Sequence, residues 1–266
     1  MGKLSNLRVG LIGAGDLGAA MARAFIEHGG LPPASLAIHT RSGRSARLSD
    51  IAGIRFAPTA EAAAANADVT LLAVPPAQIG TVHLGNPGGT VISVMAGVTL
   101  DKLAGIAGHA RVIRAMSSPA AAFKVAFSVY APAPACTPGD IALAAALLAS
   151  CGAVDAVPDE AQIDLFTALI GPVPGFAAAF AAMLANWAEA RGVDAGTADR
   201  AVRQLMLASG LSLAHTPPTP AERVREMVDY AGTTAAGLNA LAASGAEQAM
   251  FEALDAAVAK ARVIAG

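Results

Sequence analysis

The sequence predicts an α/β fold, with a doubly wound parallel sheet over residues 1–157 followed by an all-α region over 158–266. Three observations predict it. Short continuous apolar runs alternate with alanine-rich stretches through the first half, as buried parallel strands alternate with crossover helices. A glycine triplet stands between the first apolar run and the first helical stretch. Beyond Pro158 strand signals cease, and helical patterns run to the C-terminus.

The elements follow in order. "RVGLI" (8–12), "LAIHT" (36–40), "DVTLLAV" (68–74), "GTVISV" (89–94) and "HARVIRAM" (109–116) read as buried parallel strands bounded by turn residues. Residues 16–29 and 59–67 read as helices between them. "APAPACTPGD" (131–140) is a Pro-rich loop, followed by a helix and a short strand at Ala153–Val157. From Leu165 to Ala188 no residue carries a formal charge, a length that would span a bilayer. Interruption by Gly171, Pro172, Pro174 and Gly175, and dominance by weakly hydrophobic alanine, predict instead a buried helix of a soluble bundle. The apolar excess of the tail predicts that a second subunit covers part of it, as a homodimer or higher homo-oligomer.

Composition narrows the partners. Eighteen Lys and Arg against twenty Asp and Glu leave a net charge of −2, with no basic run for nucleic acid or an anionic membrane. Cys136 and Cys151 follow no metal or redox spacing and are expected to be buried, reduced and inert. His28, His39, His83, His109 and His215 show no ligand spacing, so no metal is expected. The N-terminus carries no secretory pattern, and a cytoplasmic location is the default expectation.

"VGLIGAGDLG" sets Gly13, Gly15 and Gly18, with Asp16 and Leu17 between them, directly after the first strand. In this arrangement one glycine makes the tight turn, one lets the backbone approach a pyrophosphate, and one lets helix and strand pack closely. A Rossmann-type dinucleotide-binding domain follows. The second strand runs into "IHTRSGRSAR", with no carboxylate before Asp50 to hold a free ribose hydroxyl pair. Arg41, Ser42 and Arg44 instead suit a 2′-phosphate, with Arg47 an alternative to Arg44, which points to NADP. Val74 and Pro75, at the end of the fourth strand, are expected to line the crevice.

With these residues in place the chain resembles the pyrroline-5-carboxylate reductase family along nearly its whole length. The signposts are "GLIGAGDLG" (10–18), "LLAVPPAQ" (71–78), "VISVMAGVTLDKL" (91–103), "RVIRAMSSPA" (111–120), "DLFTALIGPVPGFAAAF" (164–180) and "AGTTAAGLNALAASG" (231–245). The resemblance implies NADPH-dependent reduction of a small cyclic imine, 1-pyrroline-5-carboxylate to proline. It also implies a helical domain that dimerises and an active site between the two domains. Alternatives are a reductase for a more apolar cyclic imine and a non-catalytic NADP-binding protein.

In the family the second threonine of the loop before the penultimate helix points at the substrate nitrogen, a role that falls on Thr234. The N–H groups of Gly232, Thr233 and Thr234 open that helix and can hold a substrate carboxylate, although Thr233 can also be a plain N-cap. Asp229 and Tyr230 stand where the family has Ser and Pro. Either can be a proton donor, while Asp229 can also pair with Arg225 one turn earlier. The family's S-G-S-G-P-A-Y segment becomes Ile170, Gly171, Pro172, Val173, Pro174, Gly175 and Phe176, placing Ile170, Pro172 and Phe176 at substrate positions and removing two hydroxyls and a phenol.

Overall fold

The structure, a computed structural model, describes residues 4–264. Two compact units share the chain: the first runs through Gly171 and takes back the chain from Ala257, and the second is Pro172–Ala256. Strands end at Ala156. The first unit nevertheless reaches past the expected boundary at 157, because the helix Ala161–Ile170 packs with the sheet.

The first unit is built on one eight-stranded sheet. Its strands are β1 (Val9–Ile12), β2 (Leu36–His39), β3 (Arg55–Phe56), β4 (Val69–Leu72), β5 (Thr90–Ser93), β6 (Val112–Met116), β7 (Ala126–Pro132) and β8 (Gly152–Ala156). They stand in the order β3-β2-β1-β4-β5-β6-β7-β8. From β3 to β6 all pairs are parallel, joined through α1 (Asp16–Glu27), α2 (Ala60–Ala64) and α3 (Leu100–Ala107). Residues of β1, β4, β5 and β6 are buried throughout, as their unbroken apolar runs require.

Three elements depart from the sequence reading. β3 has only two residues, both exposed, and so leaves no apolar run to detect. The helix α3 was hidden inside an apolar stretch, although Thr99 caps it by accepting the Lys102 N–H. β7 is the larger surprise, since it pairs antiparallel with β6 and carries the chain two residues into the expected Pro-rich loop. A parallel return needs a helical crossover of about a dozen residues, and the nine residues between β6 and β7 hold only a 3-10 turn. Pro132 is tolerated because it is the last residue of the strand. β8 then pairs parallel with β7 through α4 (Pro138–Ala149).

The core lies on both faces of the sheet. One layer packs Met21 and Phe25 of α1 and Leu147 and Leu148 of α4 against β1 and its neighbours. The other packs Ala63 and Ala64 of α2 and Leu103 of α3. Cys151 is fully buried, and desolvation pushes its thiol up to about 12. Cys136 is only half-buried, and its thiol donates to the Val112 carbonyl at 3.2 Å.

The second unit consists of α6 (Val173–Glu189), α7 (Ala195–His215), α8 (Pro220–Asp229), α9 (Thr233–Ala243) and most of α10 (Ala246–Val263). It buries little of its own apolar surface. Among its residues only Ala198, Val202 and Ala235 are buried hydrophobics, while Phe180, Met183, Trp187, Leu211 and Phe251 are exposed. The stretch Ala161–Glu189 contains an 18-residue window with a mean hydropathy of 1.8 and has the length to cross a membrane. It is two helices, α5 (Ala161–Ile170) and α6, parted at Gly171–Pro172. The expectation of a buried helix is corrected for α6, which buries none of its residues within one chain.

A buried carboxylate fastens α4 to the starts of β5 and β6. Asp140 is 4 % exposed and accepts from Arg111 Nη2 at 2.6 Å, from Thr137 N at 2.8 Å, from Thr137 Oγ1 at 2.7 Å and from the Thr90 hydroxyl. The Arg111 guanidinium, followed by the Thr90 and Thr137 donors, holds this carboxyl well below the usual carboxylate range. Because the folded group is the more acidic, its contribution is complete above the ordinary carboxyl pKa of about 4 and is lost as pH falls below it. Asp140→Asn should therefore cost about 1–3 kcal/mol at neutral pH and less at pH 3, measured by urea unfolding at both. An unchanged pH dependence would remove this group from the acid response.

Candidate active site

A cleft of about 480 Å³ opens at the C-terminal ends of β1, β2 and β4. Its walls include Gly13, Gly15, Arg41, Ser42, Arg44, Val74 and Pro75, so seven expected cofactor residues meet in one place. Each glycine has a separate reason. Gly13 turns at φ 96°, and a Cβ there would stand 2.6 Å from the Ala73 carbonyl oxygen. Gly18 lies against the Gly13 carbonyl, where a Cβ would come within 2.2 Å. At Gly15 a Cβ would meet nothing within 4 Å, so the backbone faces open space. Gly15 is also the N-cap of α1 and offers no side-chain cap, leaving first-turn N–H groups for an anion.

The other wall is the loop after β2. It is pinned by Thr40, whose hydroxyl donates to the Arg44 carbonyl at 3.0 Å and accepts the Arg44 N–H at 3.1 Å. Ser42 donates to the same carbonyl at 2.9 Å. The guanidinium groups of Arg41 and Arg44 form no hydrogen bond or ion pair among the described residues. Two unspent cations on a cleft wall suit a phosphomonoester. Asp16, Leu17 and Gly18 do not line the cleft: Asp16 pairs with Arg47, Leu17 packs on the core, and Gly18 is buried under the turn.

In the second unit, Asp229 ends α8, Tyr230 is its C-cap, and Gly232 is the N-cap of α9. The reading of Thr233 as the cap is corrected: Thr233 is the first helical residue, and no side chain caps this helix. Asp229, Tyr230, Thr233 and Thr234 are exposed, Tyr230 by 87 %. The Tyr230 ring lies beside Gly232, 3.5 Å from the position a Cβ would take. The expected Asp229–Arg225 pair is absent among the described residues, where Arg223 instead pairs with Glu226 at 3.4 Å. Pro172 and Phe176 sit half-buried at the start of α6. Ile170 belongs to the first unit and packs on the Met116, Val129 and Ile163 cluster, so its apolar character has a packing reason.

Sequence reasoning gave no role to Arg114, whose side chain is 3 % exposed on β6. Its Nη1 donates to Glu160 at 3.2 Å and its Nη2 to Asp164, tying α5 to the sheet. Glu160 also accepts the Leu100 N–H at 2.8 Å, at the start of α3. The only available signal was a charge inside an apolar strand run.

Comparison with known proteins agrees with this geometry. Residues 160–264 match the family described as pyrroline-5-carboxylate reductase dimerisation, and residues 8–97 match that described as NADP oxidoreductase, coenzyme F420-dependent. A pyrroline-5-carboxylate reductase of Thermus thermophilus is 30% identical over 260 residues, covering 94% of this chain and 96% of that one. The chain belongs to the pyrroline-5-carboxylate reductase family. Two solved structures of the family share the fold. The reductase of Coxiella burnetii has a TM-score of 0.86 at 24% identity, over 98% of this chain and 99% of that one. The Plasmodium falciparum pyrroline carboxylate reductase with NADP bound has a TM-score of 0.83 at 19% identity, over 99% and 100%.

In this reductase-family chain Ala231, between Tyr230 and Gly232, holds φ at 57°. A Cβ in the left-handed region costs about 1 kcal/mol. Ala231→Gly should therefore raise stability by about 0.5–1 kcal/mol, read as a higher denaturation midpoint at fixed protein concentration. A lower midpoint would mean that the turn does not keep this conformation.

Proposed function

We propose that this chain catalyses NADPH-dependent reduction of the C=N bond of 1-pyrroline-5-carboxylate, giving proline. The carrying observation is the end-to-end match to a reductase of that name, with the cofactor cleft and threonine loop both present. We further propose that residues 158–266 form the dimerisation and substrate domain and that the active enzyme is a homodimer. The exposed apolar faces of α6 and α7 support that assembly.

The cleft fits the dinucleotide, because Gly15 leaves open space before uncapped N–H groups and Arg41 and Arg44 are unspent. When bound, NADPH supplies a hydride to the imine carbon. The residues of this chain do the positioning. The bare first turn of α1 takes the diphosphate, Arg41, Ser42 and Arg44 take the 2′-phosphate, and Val74 and Pro75 line the crevice. At the substrate, the N–H groups of Gly232, Thr233 and Thr234 hold a carboxylate through the bare start of α9. The Thr234 hydroxyl holds the imine nitrogen as its charge changes. Tyr230 and Asp229, both exposed and unpaired in this turn, are the reserve proton donors for a less basic imine.

Turnover of NADPH with 1-pyrroline-5-carboxylate, beside cyclic imines lacking a carboxylate, tests the reading. Proline formation is the expected result; oxidation of NADPH by the apolar imines alone would replace the substrate, and inertness with all of them would leave only dinucleotide binding. Thr234→Val should lower kcat by about ten- to a hundredfold with NADPH affinity retained, and full activity would clear Thr234 of its role. Replacing Arg41 and Arg44 together by Ala should weaken NADPH far more than NADH, and equal losses in a binding titration would deny them the 2′-phosphate.

A further inference from the structure

The wall carrying Arg41 and Arg44 is laced to α1 and the turn before it by three links. Ser45 Oγ donates to the Ala14 carbonyl at 3.3 Å. Arg23 of α1 donates to the Arg47 carbonyl at 3.1 Å and to Asp50 at 2.8 Å. Arg47 itself reaches Asp16, with Nε at 2.7 Å and Nη2 at 2.5 Å from the same carboxylate oxygen.

The third link differs from the others because of what Asp16 is. It is the first residue of α1, at the uncapped helix start that follows Gly15 on the cleft wall. A carboxylate there suits the helix dipole, but it also repels any anion brought to the same end. Arg47 spends its charge on that carboxylate, and its side chain lines the same cleft. Both side chains are more than half exposed, so the pair adds little to stability. Its consequence is for the ligand.

We propose that Arg47 is a positioning residue for the cofactor, cancelling the Asp16 carboxylate so that the diphosphate meets only the bare start of α1. The proposal rests on reading this cleft as the dinucleotide site. It gives Arg47 a different task from Arg41 and Arg44. They recognise a phosphate that only NADPH carries, whereas Arg47 acts at the diphosphate common to both nucleotides.

Fluorescence titration of NADPH and NADH against the full chain, Arg47→Ala, Arg47→Lys, Asp16→Asn and the Asp16→Asn/Arg47→Ala double variant tests it. Arg47→Ala should weaken both nucleotides by a similar factor of about ten, the order of one partly screened charge pair, and the loss should shrink with added salt. Arg47→Lys should keep most of the affinity. The double variant should bind both nucleotides more tightly than Arg47→Ala, since the charge needing cancellation is gone. A loss confined to NADPH would place Arg47 on the 2′-phosphate and overturn the proposal. A double variant as weak as Arg47→Ala, or no loss at all, would overturn it too. If the full chain binds neither nucleotide, the reading of the cleft fails first and takes the proposal with it; melting temperatures of the variants separate misfolding from lost binding.

Discussion

The buried guanidinium of Arg114 is the constraint on which the arrangement of the first unit depends. Removing a cation from water on a central strand is costly unless carboxylates come with it, and Glu160 and Asp164 both do. They can do so only if α5 lies against β6, which fixes where the strand-rich region ends. Glu160 then reaches the start of α3, and Arg262, from the returning end of α10, comes within 3.7 Å of Asp164. One charge cluster thus gathers a strand, two helix starts and the C-terminal turn. This is why the compact unit runs through Gly171 although its last strand ends at Ala156.

The second unit obeys the opposite logic. Its helices are well formed, with Asp194 capping α7 and a Thr219–Glu222 capping box at α8, yet almost no side chain in it is buried. Helix formation there is satisfied locally while apolar packing is not. Large side chains such as Phe180, Trp187 and Leu211 are left in solvent in a single chain. The match of residues 160–264 to a dimerisation family is in keeping with those faces, since an apolar subunit interface resembles a core cut in half. The uncharged run from Leu165 to Ala188 breaks at Gly171–Pro172, which parts a helix held by charges and packed on the sheet from one that buries none of its residues in a single chain.

Much of this was legible in the sequence because the decisive physics was local. Buried parallel strands show as unbroken apolar runs, and β1, β2, β4, β5 and β6 stand within two or three residues of where those runs lie. The glycine triplet was legible for the same reason: Gly13 turns at a positive φ, and the Gly13 carbonyl leaves no room for a side chain at Gly18. What escaped was set by distant pairing. β7 is a strand because it completes the far edge of the sheet, and the Arg114 cluster joins residues 46 and 50 positions apart. The Asp229–Arg225 pair failed in the reverse way, since helical spacing permits a contact that free side chains need not make. The cap at α9 was misassigned by one residue, and that residue is a glycine.

That glycine bears on how the two halves of the chemistry are related. Thr59, Thr99, Thr137, Asp194 and Thr219 each close a helix start with a side-chain oxygen. α1 and α9 instead begin at Gly15 and Gly232, with no side chain to accept their first N–H groups. A glycine cap forgoes about a few tenths of a kcal/mol against threonine and leaves donors unsatisfied. α5 and α6 also start without a side-chain cap, at Glu160 and Pro172, but it is the glycine starts of α1 and α9 that coincide with the proposed diphosphate and carboxylate sites. The small loss of stability is then the condition of binding: a side-chain oxygen at either cap would occupy the donors that the anion must use. Ala231 extends the same trade, holding a left-handed turn immediately before Gly232 so that the threonine pair emerges at the mouth of an open helix.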